Sequence, residues 1–173
     1  MKKSFKEFVV IDLETTGFNP ASCDIVELAA VRFVDFKPAE TYSTLVKPKN
    51  GINYYAMRVN GITERMVENA PYIEEVAGEF YEFVAGSEII VGQNVQFDLR
   101  FLRSNGIHLP EWKYEIHDTM RLAKKHLCRG EVEDHQLETL CDYYGIKNKN
   151  AHRSASDCVA TGELFIKLVK DMG

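Results

Sequence analysis

The sequence predicts an α/β fold built on one mixed sheet. The first observation behind this is a set of three strand-like segments in the N-terminal third, joined by short, turn-rich links. Strands so closely connected pair antiparallel, as a meander. The second is the remainder of the chain, where helical periodicity alternates with short apolar runs. That order suits strands that return parallel through helices.

The elements can be taken in turn. Phe8-Val9-Val10-Ile11 opens the first strand as an apolar, β-branched run. Turn formers occupy 18–24. Residues 25–36 (IVELAAVRFVDF) read as a long second strand broken by Pro38, and 41–46 (TYSTLV) as a third. Lys47-Pro48-Lys49-Asn50-Gly51 closes it. Thr63 is the expected N-cap of a short helix over 64–68. A longer helix starts at Pro71 and ends by Gly86, with Ile73, Val76, Ala77, Phe80, Phe83 and Val84 at helical spacing. Residues 89–92 read as a short buried strand. A helix over 97–104 is stopped by Asn105-Gly106, and 114–117 reads as a further strand. Asp118 caps a helix to about Leu127, and 136–144 forms one ended by Gly145. The last helix, 154–170, carries Val159, Leu164, Phe165, Leu168 and Val169 on one face. There is no internal repeat, low-complexity tract or linker, so residues 1–173 read as one domain.

Composition narrows the classes. A chain of 173 residues with 45% apolar content can bury roughly 70% of its unfolded surface. Four scattered cysteines (Cys23, Cys128, Cys141, Cys158) without a Cys-x-x-Cys pair argue against a zinc knuckle or a redox motif. They suit reduced thiols in a cytoplasmic protein. No run approaches the ~20 apolar residues of a membrane span. The basic start, 1–7, precedes an apolar run too short for a signal peptide. A net charge of −5 argues against binding nucleic acid mainly through a basic surface. It leaves room for an enzyme whose acids hold cations.

The first strand ends in Asp12-Leu13-Glu14. Residues two apart in a strand face the same way, so the two carboxylates lie side by side. Like charges at a buried strand end need a positive partner, and a divalent cation is the simplest one. Asp98 stands near the start of a helix, after a short buried strand, where the helix dipole favours an acid. His152 precedes the last helix in a Lys/Asn-rich loop, and Asp157 lies in that helix's first turn. Thr15-Thr16-Gly17 forms a turn with hydroxyls and backbone N–H groups. Each feature alone also has an ordinary reading: acids at helix starts, a loop histidine, a strand-ending turn.

Taken together, these segments resemble the three motifs of the DnaQ-like 3′–5′ exonuclease superfamily, of the Asp-Glu-Asp-Asp type with a histidine in the third motif. The first is VVIDLETTG, the second NVQFD followed by LRFL, and the third HRSASD. Asn60-Gly61-Ile62-Thr63 resembles a segment between the first two. The resemblance spans nearly the whole chain. It implies a ribonuclease H-like fold with a five-stranded mixed sheet. It implies that Asp12, Glu14, Asp98 and Asp157 hold two Mg²⁺ or Mn²⁺ ions, with His152 as the general base. It further implies that Leu13 and Phe18 flank the last base and that groups at Thr15, Thr16 and Gly17 seat the terminal sugar. Asn60 and Asn94 would contact the terminal nucleotide, and Phe97 offers a stacking face.

Within the superfamily, ETTG followed by DIVELAAVRF looks most like the epsilon subunit and the exonuclease domain of the Gram-positive replicative polymerase. The expected substrate is therefore the 3′ end of single-stranded nucleic acid, DNA favoured over RNA, with nucleoside 5′-monophosphates released and a DNA polymerase as a candidate partner. An oligoribonuclease-like enzyme and a non-catalytic polymerase-associated module are the alternatives. The epsilon subunit carries a C-terminal tail that binds its polymerase. This sequence stops at Gly173, which leaves an enzyme acting alone or a piece of a longer protein.

Overall fold

A computed structural model of the chain describes residues 5–110 and 112–172. Residues 1–4, part of the basic start, lie outside the described residues, as does Gly173. The elements run β1 (Glu7–Thr15), β2 (Ile25–Val34), β3 (Lys37–Leu45), α1 (Tyr54–Asn60), α2 (Glu64–Val67), α3 (Ile73–Ala85), β4 (Ile89–Gly92), α4 (Gln96–Ser104), β5 (Glu115–Asp118), α5 (Thr119–His126), α6 (Leu137–Tyr144) and α7 (Ser154–Asp171). The five strands form one sheet in the order β3-β2-β1-β4-β5. β1 pairs antiparallel with β2, and β2 with β3, while β4 runs parallel to both β1 and β5. This is the meander followed by parallel returns that the patterning predicts.

The alternation of β1 decides which layer each residue meets. Val9, Ile11 and Leu13 pack with Val76 and Phe80 of α3 and with Leu99 and Leu102 of α4. Phe8 and Val10 pack instead with Cys158, Phe165 and Ile166 of α7. Both faces are covered, which is why the strand reads as a continuous apolar run. Each such side chain, fully buried, stabilises the fold by ~1.5–3 kcal/mol.

Four expectations need correction. The second strand ends at Val34, because Asp35 and Phe36 take positive φ (47° and 66°) in the tight turn that begins the hairpin. Pro38 does not break the sheet. It lies within β3, opposite Phe33 and next to a register shift, and β3 is an edge strand, where a missing N–H is tolerated. Helix α1 was not expected at all. Thr63 does precede α2, but its side chain makes no capping bond. The third strand begins at Lys37, four residues before its expected start, and the other elements fall within two residues of their expected bounds.

Candidate active site

Asp12 and Glu14 continue the even-numbered face of β1, the one that Phe8 and Val10 turn toward α7. Asp157 projects from the first turn of α7 onto that face. Oxygens of Asp12, Glu14 and Asp157 all lie within 4.8 Å of one another. Asp98 comes from α4 in the opposite layer, is 4% exposed and stands outside this group of three. β1 runs past its pairing with β4, which ends at Val10 and Val91. The backbone N–H groups of Asp98 and Leu13 favour the ionised Asp98 carboxylate and oppose the effect of its burial.

The electrostatics arise from this crowding. Burial, then the charges of Asp98, Asp157, Glu14 and Glu27, hold the Asp12 carboxyl well above its ordinary range. Glu14 is pushed up to about 8, by burial first and then by Asp157 and Glu27, with Asn60 and Arg153 opposing. Asp98 is also raised, mainly by burial. Asp157 is raised by burial against the pull of Asn148 and of the His152 N–H. An acid cluster that resists ionising when empty is one that a cation would stabilise. Its donors are hard carboxylate oxygens, which fit Mg²⁺ or Mn²⁺ better than a thiolate- or imidazole-bound metal.

The loop before α7 is tied down at two points. The His152 N–H donates to Asp157 Oδ2 at 3.0 Å, and Asn148 Nδ2 donates to Oδ1 of the same carboxylate. Arg153 makes a forked contact with Glu27, with Nη2 at 2.6 Å and Nε at 3.1 Å from Oε1. The Ser154 N–H reaches Glu27 Oε2 at 2.9 Å. His152 itself is exposed, at φ 64°.

Beside the acids lies a cavity of about 450 Å³. Leu13, Glu14, Thr15, Thr16, Gly17 and Phe18 line it from β1 and its turn, Phe97 from α4, and Asn53, Tyr55, Ala56, Val59 and Asn60 from α1 and its cap. Glu14 therefore belongs to both the acid cluster and the cavity wall. The threonine hydroxyls close the turn: Thr15 Oγ1 donates to Gly17 O, and Thr16 Oγ1 accepts from the Asp24 N–H. Asn53 Nδ2 donates to Thr16 O at 2.6 Å, which fixes α1 over the turn. Asn60 Nδ2 approaches Thr15 O at 3.5 Å. Phe18 is 89% exposed and meets Phe97 edge to face at 6.5 Å between ring centroids. Asn94 is exposed and does not line the cavity; it takes φ 56°, and its N–H donates to Asp118 Oδ1.

The structure thus brings Asp12, Glu14 and Asp157 together, keeps Asp98 buried on α4 outside that group, and leaves His152 on the loop before α7. Sequence reasoning missed Glu27, Arg153 and Asn148, and the α1 side of the cavity apart from Asn60. A lone acid inside the apolar run IVELAAV was the available signal for Glu27.

Comparison with known proteins identifies relatives of the chain. The RNase T family model, described as Exonuclease, matches residues 9–165. A PolC-type DNA polymerase III from Caldanaerobacter subterraneus subsp. tengcongensis is 35% identical over 167 residues, 96% of this chain and 12% of that protein. The DNA polymerase III subunit epsilon of Aquifex aeolicus is 35% identical over 95% of this chain and 81% of its own length. The chain spans about an eighth of the PolC-type relatives it matches. Exonuclease X, solved in complex with 5′ overhanging duplex DNA, superposes with a TM-score of 0.76 at 33% identity, covering 94% of this chain and 91% of that one. Exonuclease I gives 0.79 at 24% identity, over 95% of this chain and 41% of its own. With the sheet order, these neighbours establish the ribonuclease H-like fold.

Proposed function

The chain belongs to the RNase T family of exonucleases, and on that premise we propose that residues 1–173 act as one exonuclease domain, removing nucleotides from the 3′ end of single-stranded nucleic acid. The observation that carries the reading is the sharing of Glu14 between the acid cluster and the apolar cavity. A strand terminus seated in that cavity has its last phosphodiester beside the carboxylates. DNA is the favoured substrate, supported by relatives that are named as DNA polymerase III proteins. For the same reason a DNA polymerase is the candidate partner.

Two Mg²⁺ or Mn²⁺ ions, held by Asp12, Glu14, Asp98 and Asp157, would neutralise charge on the phosphate and supply Lewis acidity. The chain's own residues supply the rest. Leu13, Phe18 and Phe97 offer apolar and aromatic surface for the last base, which tolerates any sequence because every base has a π face. Asn60 and the turn at 15–17 position the sugar. His152 accepts the proton of the attacking water. The product is a nucleoside 5′-monophosphate.

Incubating the protein with Mg²⁺ or Mn²⁺ and 5′-labelled DNA or RNA strands tests the reading. A ladder that shortens from the 3′ end, faster on DNA, is expected. A ladder only on RNA would select the exoribonuclease alternative, and an unchanged band with both metals would select a non-catalytic module. His152→Ala should lower turnover ~10²–10⁴-fold with Mn²⁺ binding nearly intact by calorimetry. Asp12→Ala should abolish metal-dependent activity and weaken the calorimetric signal as well.

A further inference from the structure

The third motif contains a residue with no role in the reading so far, Arg153. It lies between the candidate base, His152, and Ser154, the first residue of α7. Its guanidinium forks onto Glu27, whose side chain is 3% exposed while that of Arg153 is 45% exposed. Glu27 sits on β2, directly opposite Glu14 in the ladder, and also receives the Ser154 N–H. The two partners are 126 residues apart in sequence. A planar guanidinium with two bonds to one carboxylate fixes direction as well as distance. On one side of His152, then, the backbone is anchored to a buried acid of the central sheet. On the other, the His152 N–H is held by Asp157. Between these anchors His152 takes a left-handed conformation, φ 64°, which a histidine seldom adopts unless its surroundings impose it.

We infer that Glu27 and Arg153 are positioning residues, a clamp that fixes the backbone of His152 above the acid cluster and so aims its imidazole at the attacking water. The inference rests on the reading of His152 as base. It adds that the orientation of this base depends on an ion pair that touches neither substrate nor cation. A side chain on an otherwise Lys/Asn-rich loop would sample many directions; the clamp restricts them.

A double-mutant cycle on the full chain tests this. Arg153→Ala should lower kcat ~10²-fold, with KM for a single-stranded DNA oligonucleotide and Mn²⁺ affinity both within ~3-fold of wild type. Arg153→Lys, able to meet one carboxylate oxygen, should recover part of the loss. In the His152→Ala background the same Arg153→Ala change should cost nothing further, because it acts through a side chain already removed. Losses that multiply in the double variant, or a fall in Mn²⁺ affinity as large as the fall in kcat, would overturn the clamp.

Hydrogen exchange on the metal-free protein gives a readout without catalysis. The His152 and Ser154 amides should exchange faster in Arg153→Ala while β1 and β2 amides stay as in wild type. Unchanged exchange at both amides would also overturn it. Glu27→Gln, which keeps the shape and removes the charge, repeats every measurement if Arg153→Ala does not fold. Should the wild type fail to hydrolyse any strand, or His152→Ala retain full turnover, the functional reading fails on its own, and the exchange result still decides the clamp.

Discussion

Glu14 faces Glu27 across the β1–β2 ladder and Asp157 across the face of the sheet. Its carboxyl ordinarily titrates at 4.5, and in the folded protein it is pushed up to about 8, first by burial and then by those two acids. Between these values the folded state holds a proton that the unfolded chain has released. This stabilising contribution is complete below pH 4.5 and is lost as pH rises through 8. For the metal-free protein the expected loss is on the order of 2–3 kcal/mol, after discounting for the partial exposure of Glu14. That corresponds to a fall in Tm of roughly 5–10 °C between pH 5 and pH 8.5 by scanning calorimetry. A flat or rising Tm over that window would contradict the electrostatic account. The pairing of Asp12 with Glu14 was legible in the sequence because strand alternation is a strict rule. The role of Glu27 was not, because its importance comes from Arg153, a partner no local pattern brings near.

Among the elements, α1 shows what periodicity leaves out. Only Asn60 of its seven residues is buried, while Tyr54, Tyr55 and Val59 are exposed. A helix with no buried stripe has no apolar period to read. Its caps were the readable trace: Asn53 Oδ1 accepts from the Ala56 N–H at 2.9 Å, and Gly61 ends the helix at φ 69°. Asn53 also holds the β1 turn, so Asn53→Ala removes a cap worth about 1 kcal/mol and frees one wall of the cavity. The expected result is faster hydrogen exchange over 54–60 and a severalfold rise in KM with kcat nearly constant; a kcat loss at unchanged KM would be the contrary result. Helix α7 illustrates the opposite case, a long apolar stripe read correctly. Its close seat on the sheet depends on Gly162, where an added Cβ would overlap the Phe33 ring. Gly162→Ala should destabilise by about 1–3 kcal/mol through overpacking, measured as a lower denaturation midpoint at constant slope.

At the scale of the molecule, the sheet and its two helical layers converge on one end of β1. The acids come from β1, α4 and α7, so cations held by them would tie all three layers together. Mn²⁺ at a hundredfold excess over its Kd should therefore stabilise the fold by about 2.7 kcal/mol, visible as a Tm rise of several degrees. The same addition to Asp12→Ala should produce little change. A wild-type Tm indifferent to Mn²⁺ would argue against a site that depends on the whole fold. The strand directions were largely legible, since closely linked strands pair antiparallel and helix-linked ones return parallel; the strand order was not. The cavity was legible on its β1 side and at Phe97 and Asn60, whereas its α1 wall depended on a helix that the apolar pattern did not reveal.

The long separation between Glu27 and Arg153 also has a consequence in time. Chains emerge from the ribosome N-terminus first, at roughly 5–20 residues per second. β1 and β2 are therefore made well before α7 delivers Arg153, His152 and Asp157. Throughout that interval the growing polypeptide carries Asp12, Glu14 and Glu27 with neither the counter-charge nor the proton acceptor in place. On the proposed reading, strand cleavage would be withheld from the nascent chain until α7 docks, and a copy without α7 would not trim nucleic acid.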